Sequence, residues 1–477
     1  MKTKPVSKQM TRSVGRKEMI FGYLVGPFGA MLSQGIFTSI LQNYFTDVLR
    51  LDLTFLTSLQ LFSTILIVLA NLMAGQLIER TRKTSGKARP YILLSAFLLS
   101  VSSVLMFVMP FQGTARMIWV AVAYNLYYSL AYPLYNTANS TLLAVSTRNS
   151  DDRGMMASLV NIAQLATMGA GSMVFPMLVS FSLKDRQERW MLVMAAIALF
   201  STLTILMQYR FTRERITEEY QKKEQSETSS GETLSLTQQI RTVTRDREWW
   251  IIILFYLLFQ TGGAMRNGSM TYFCKWVLDN SFLHNADAWG VSQSILSICG
   301  ALPMAVAALL VVPLSRRFGK KNLVIVGCLI NILGGVIAGL GAGNLIPVAA
   351  GIALKCLGSA PACYLILAIL ADVIDHIERK SGVRTDGLTM SFYSSIMVAA
   401  TPVCNAILSA MLKAAGYNQN APFSKGRMGQ PASALTAISA AYIWIETAAY
   451  VVCVILMCFY HVEKEMKQEK GNQMVES

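Results

Sequence analysis

The chain has 477 residues, 53% of them hydrophobic and only 14% charged, with a formal net charge of +15 and a mean hydropathy of +0.43. A soluble protein of this length divides into two or three domains under charged surfaces, so the composition excludes water as the solvent for most of the chain. The positive balance requires no nucleic acid, because basic residues facing anionic lipid account for it.

Met1 to Lys17 is basic and polar. The apolar run behind it is too long for a signal-peptide core and lacks a cleavage site, so the first span is expected to be retained. Apolar runs of about 20 residues, enough to cross a hydrocarbon core of roughly 30 Å, are predicted at 19–46, 53–78, 91–110, 116–145, 155–182, 190–209, 249–277, 286–314, 322–342, 345–372, 387–413 and 434–460. A spanning backbone must satisfy its own polar groups, and alternating ten-residue strands are absent, so all twelve are expected to be helices. The expected architecture is an all-α membrane protein. All eight cysteines fall in the second half, within apolar runs, where they read as small packing groups, with neither disulfide nor metal expected.

Residues 210–248 form the one long polar stretch inside the chain. It divides the protein into an N-terminal tail (1–18), a six-helix bundle (19–209), a linker (210–248), a second bundle (249–460) and a C-terminal tail (461–477). Most of the Lys and Arg residues lie in the two tails, the linker and the even-numbered loops, which the positive-inside rule makes cytoplasmic. The protein is therefore expected in a bacterial-type inner membrane with both termini inside. The loop from Gly75 to Pro90 has a short, basic counterpart from Pro313 to Asn322, as in the two halves of the major facilitator fold.

Three stretches carry a more specific resemblance. The first is Asn43-Tyr44-Phe45-Thr46-Asp47-Val48-Leu49 with Gly86-Lys87-Ala88-Arg89-Pro90. The second is Arg266-Asn267-Gly268 with Tyr272-Phe273-Cys274-Lys275-Trp276. The third runs from Ala371-Asp372-Val373-Ile374-Asp375-His376 through Arg379, Lys380 and Arg384 to Gly387-Leu388-Thr389. Together they resemble the glycoside-pentoside-hexuronide cation symporters, the group of the melibiose carrier, over nearly the whole chain. The resemblance implies a major facilitator fold of two six-helix bundles. It also implies a loop between spans ten and eleven bearing Asp372, Asp375, Arg379 and Arg384 as gating charges, with Arg153 on the matching first-half loop. Asp372, Asp375, Arg379 and Arg384 are expected at the cytoplasmic end of spans ten and eleven and to pair with charges there, with Arg148, Asp152 and Arg153 as candidate partners. Arg266 and Lys275 match the family pattern as gate or solute contacts.

The departures from that family are as informative. Its intramembrane charges align here with Met31, Ile67, Asn71, Ala131, Val160 or Asn161, and Val398. A hard cation needs a cage of oxygens and a proton needs a titratable group, so the usual sodium or proton site is not expected. Asp47 falls at the outer end of span one.

Polar residues that can meet an uncharged solute recur at helical spacing. Asn125, Tyr128, Tyr132, Tyr135, Asn136 and Asn139 share one face of span four. Gln34, Thr38 and Gln42 lie on span one, Asn161 and Gln164 on span five, Tyr256, Gln260 and Asn267 on span seven, and Tyr393 on span eleven. Amides and phenols hydrogen-bond a polyol and tyrosine rings stack on its apolar face, although the same residue types also tie membrane helices together. Two intramembrane charges remain, Lys355 in span ten and Glu446 in span twelve. They either pair with each other, contact an ionised solute, or lie near the interface with Lys355 snorkelling outward. Gly26, Pro27, Gly29, Gly35, Pro133, Gly262 and Gly263 are expected to soften spans one, four and seven, with Gly268 serving close packing.

The expected function is a monomeric secondary transporter of a sugar, glycoside or similar small organic solute, without cofactor and with sodium coupling lost. Its partners are that solute and the lipid bilayer. Alternatives are a transporter of a more lipophilic solute, suited to the 26 Met and 21 Phe, and a non-transporting sensor or assembly partner. No nucleophile elbow, phosphate loop or metal-ligand cluster points to an enzyme.

Overall fold

The computed structural model describes residues 14–81, 86–147, 149–184, 186–215, 243–280, 288–381, 386–421 and 429–463. The chain divides into two compact units, Met1–Glu232 and Thr233–Ser477. Among the described residues ten helices are long and apolar enough to cross a membrane. They are α1 (Arg16–Leu41), α2 (Leu53–Arg80), α5 (Asp152–Leu183), α6 (Gln187–Phe211), α7 (Arg247–Val277), α8 (Trp289–Phe318), α9 (Lys320–Leu340), α10 (Leu345–Ser381), α11 (Thr389–Ala414) and α12 (Ala432–Cys458). Two more complete the series: the shorter apolar α3 (Arg89–Leu105), and α4, built from Gly113–Asn125, Leu126–Ala131 and Tyr132–Ser146. The protein is an all-helical, multi-pass membrane protein.

Within each unit the helices pair in the same order. In the first, α1 packs on α5 and α6, α3 on α4 and α6, and α2 on α4; in the second, α7 packs on α11 and α12, α9 on α10 and α12, and α8 on α10. Adding six to each helix number of the first unit gives the second, which is the structural mark of an internal repeat.

The repeat extends to a helix-start device. Gly86 (φ 110°) precedes α3 and Gly319 (φ 85°) precedes α9, both in the left-handed region that favours glycine. Glu214, just past α6, accepts from the backbone N–H groups of Lys87 (2.9 Å), Ala88 (2.8 Å) and Arg89 (3.0 Å). Glu463, just past α12, accepts from the N–H of Lys321 at 2.9 Å. Each carboxylate thus meets the unpaired donors and positive dipole end of a helix in its own unit. A Cβ on either glycine would strike the carboxylate.

Proline explains some of the helix irregularities. Leu126–Ala131 is wound as a π-turn just before Pro133, whose missing N–H and bulky ring prevent regular pairing with the preceding turn. Ala170–Val174 relates to Pro176 in the same way. At Gly262 and Gly263, where softening is expected, α7 is a regular helix, and its π-turn lies at Phe273–Val277. Gly262 instead allows α12 to come close, since a Cβ would sit 3.2 Å from Glu446 Cγ. Gly268 does serve close packing, against Asn405 of α11.

The expected loop after span ten is also corrected. α10 continues through Asp372, Asp375 and Arg379 to Ser381. The stretch from Ala371 to Ser381 contains neither Gly nor Pro. Val373, Ile374 and Ile377 are buried at helical spacing, so a lipid-length run passes into an amphipathic extension.

Candidate solute site

In the second unit the intramembrane charges converge. Lys355 and Glu446 are 0% and 1% exposed and lie 2.9 Å apart, Nζ to Oε2. Arg266, three turns from the nearer end of α7, brings Nη1 to within 3.2 Å of Glu446 Oε1. Of the alternatives open for Lys355 and Glu446, the two side chains pair with each other, and Lys355 does not reach outward. Lys355 Nζ also donates to the Ile443 carbonyl (2.9 Å) and to Thr447 Oγ1 (3.1 Å). Asn331 of α9 donates to the Lys355 carbonyl at 2.9 Å and fixes that turn of α10. Burying a charge is costly unless partners surround it, and here four helices supply them.

The other second-unit candidates make contacts of their own. Gln260 and Asn267 are partly exposed on the face of α7 that carries Gly263, beside the face of Arg266. The ring of Tyr393 stacks on that of Tyr256, centroids 4.4 Å apart. Lys275 holds its ammonium 5.2 Å from the centre of the Trp276 ring.

The first unit places its polar groups without charge. Tyr135 donates to Gln208 Oε1 at 2.9 Å, and Gln208 Nε2 donates to Asn139 at 2.8 Å, tying α4 to α6. Tyr128 lies among aromatic rings, with Tyr124 at 4.6 Å and Tyr127 at 5.2 Å. Tyr132 stacks on Tyr127 at 6.3 Å. Thr38 donates back to the Gln34 carbonyl, and Asn125 to that of Ala121. Gln34 Oε1 is buried and meets no donor among the described residues. Asn136 is partly exposed, and Asn161 and Gln164 are exposed on α5. The aligned family positions Met31, Ile67 and Ala131 are buried apolar side chains, and Asn71 donates its amide to the Ile67 carbonyl at 3.0 Å.

At the helix ends, Asp372 pairs with Lys320 of its own unit at 2.6 Å, a partner that sequence reasoning did not name. Asp375 is partly buried, and Arg379 is exposed and engaged in contacts of its own. Arg153 donates to the Thr147 carbonyl at 2.8 Å. Arg148 and Arg384 lie outside the described residues. Glu18 and Arg215 form a second pair that the sequence did not reveal, with contacts of 2.6 and 2.8 Å. Hydrogen bonding to Glu18 holds the Arg215 guanidinium above its ordinary pKa against the opposing effect of burial. Among the described residues no group of His, Cys, Asp and Glu could hold a metal ion.

Comparison with known proteins places this arrangement. Residues 22–464 match the family described as MFS/sugar transport protein. The chain is 26% identical over 466 residues to an isoprimeverose transporter of Lactiplantibacillus pentosus, covering 95% of this chain and 91% of that protein. It is 23% identical to a putative glycoside/cation symporter of Escherichia coli (strain K12), covering 91% and 90%. The crystal structure of the nucleoside transporter NupG superposes with a TM-score of 0.63 at 14% identity, covering 93% of this chain and 99% of that one, a likeness of fold. The chain belongs to the MFS/sugar transport protein family, within its melibiose-carrier-like branch. It is a secondary transporter of a small solute and not an enzyme.

Proposed function

We propose that this protein moves a sugar, glycoside or similar small organic solute across the cytoplasmic membrane by alternating access, without sodium coupling. The termini and the 210–248 connection are on the cytoplasmic side. The isoprimeverose transporter and the putative glycoside symporter support the solute class, and the Lys/Arg distribution among the loops supports the orientation.

The observation that carries the loss of sodium coupling is the chemistry at the aligned cation positions. Sodium needs several oxygen ligands, yet Ile67 and Ala131 are buried hydrocarbon. The Asn71 amide is turned back onto its own helix. Coupling free energies of 1–3 kcal/mol correspond to roughly 5–150-fold changes in affinity, so a working cation site has a large signature. Uptake of isoprimeverose or another glycoside into proteoliposomes should proceed down its gradient at the same rate with and without inward sodium. Several-fold stimulation by sodium overturns this reading. Reporter fusions that place either terminus outside overturn the orientation.

A further inference from the structure

The ion cluster of α7, α10 and α12 is not electrically balanced. Two cations, Arg266 and Lys355, face one carboxylate, Glu446, leaving one net positive charge within membrane-spanning helices. Lys355 is fully committed: an ammonium has three donors, and this one meets Glu446, the Ile443 carbonyl and the Thr447 hydroxyl. Arg266 is not. Its Nη1 takes Glu446 at 3.2 Å and Cys356 Sγ at 3.5 Å. Nε and Nη2 meet no acceptor among the described residues, and the side chain keeps 17% of its surface.

The surroundings suit a ligand on that edge. Gly263 lies one turn before Arg266 on α7, and a Cβ there would meet no heavy atom within 4 Å, so α7 borders open space one turn from Arg266. Gln260 and Asn267 lie on the adjoining face of α7, with Gly263 between them, and can hydrogen-bond hydroxyl groups. An unbalanced cation inside membrane helices is costly, and a guanidinium edge matches the two oxygens of an oxyanion.

We propose that the open edge of Arg266 binds an anionic group, a carboxylate or sulfonate, on the transported solute. The buried Lys355–Glu446 pair acts as a fixed backing that holds Nη1 and turns the other edge outward. The inference rests on the transporter reading above and adds the charge of the solute to it.

Three probes, glucose, glucuronate and glycerate, titrated calorimetrically into the purified full-length protein, test the inference. A charge-assisted pair contributes enough for glucuronate to bind roughly ten- to a hundredfold more tightly than glucose. In Arg266→Gln the ratio should fall to near one, and Arg266→Lys should restore part of it. Arg266→Gln leaves Lys355 and Glu446 as a balanced pair, so the fold should persist; should it not, the wild-type ratio and Arg266→Lys decide. Equal binding of glucose and glucuronate by the wild type overturns the inference and leaves the sugar reading standing. A preference unchanged in Arg266→Gln overturns it as well. Binding of glycerate alone, lost in Arg266→Gln, upholds the anion site and overturns the sugar reading. Binding of none of the three overturns the site.

Discussion

Helices α4 and α6 of the first unit and α10 and α12 of the second occupy matching places in the repeat, and each pair is joined by polar side chains inside the membrane. In the first, Gln208 bridges Tyr135 and Asn139 through neutral hydrogen bonds. In the second, Glu446 faces Lys355 and Arg266. Each contact also lies against a glycine of a third helix: a Cβ on Gly26 of α1 would press on Gln208, and one on Gly262 of α7 would press on Glu446. The same helix pairing is thus tied by neutral groups in one unit and by ions in the other, at different points along the helices. The neutral version holds two helices together and exerts little force beyond its contacts. The ionic version involves larger opposing energies and acts on anything charged that comes near.

The largest effect should follow from breaking the ionic version. Glu446→Gln leaves two buried cations without a counter-charge, a change that typically costs about 3–5 kcal/mol. It should appear as a large fall in melting temperature or loss of monodisperse protein in detergent. Adding Lys355→Met should recover much of that loss, because only Arg266 then stays charged.

The paired helix-start carboxylates come next. Glu214→Gln weakens three charge-assisted bonds, each contributing about 1.5–3 kcal/mol when fully lost. Glu463→Gln should cost less, because the site is more exposed. A thermal melt in which Glu463→Gln is the more damaging would contradict the equivalence drawn between the two ends.

Breaking the neutral version should matter less again. Tyr135→Phe removes one intramembrane hydrogen bond, for which about 0.6 and at most about 1.7 kcal/mol is expected. The smallest stability change belongs to Lys320→Ala. Its pair with Asp372 is a third exposed on the lysine side and contributes under about 1 kcal/mol. If Asp372 gates, uptake should slow in Lys320→Ala while the melting temperature barely moves.

The helices were legible because apolar length is written locally, and the intramembrane charges because one Lys or Glu stands out in an apolar run. Their grouping was not legible: Arg266 and Glu446 are 180 residues apart, and nothing near either names the other. Glu214 and Glu463 were missed for the opposite reason. They lie in polar stretches where one more carboxylate draws no notice, and their role depends on glycines that precede other helices. The extension of α10 was hidden by the family resemblance, which suggested a loop where the residues themselves favour helix.

A last consequence concerns the seam between α9 and α10. Gly327 meets Gly358 and Gly334 meets Gly351, backbone against backbone, so that a Cβ on any of the four would strike the other helix. Only Gly341 to Asn344 connect the two helices. During synthesis this hairpin is complete long before α12 exists, and Thr447, one of the groups that receive the Lys355 ammonium, is made 92 residues later. A lysine at the centre of a span opposes insertion by about 2.5–3.5 kcal/mol. The nascent chain must therefore carry Lys355 into the bilayer before Glu446 is available to balance it. The flush glycine seam, which lets α10 enter already joined to α9, gives that lysine a neighbour during the interval.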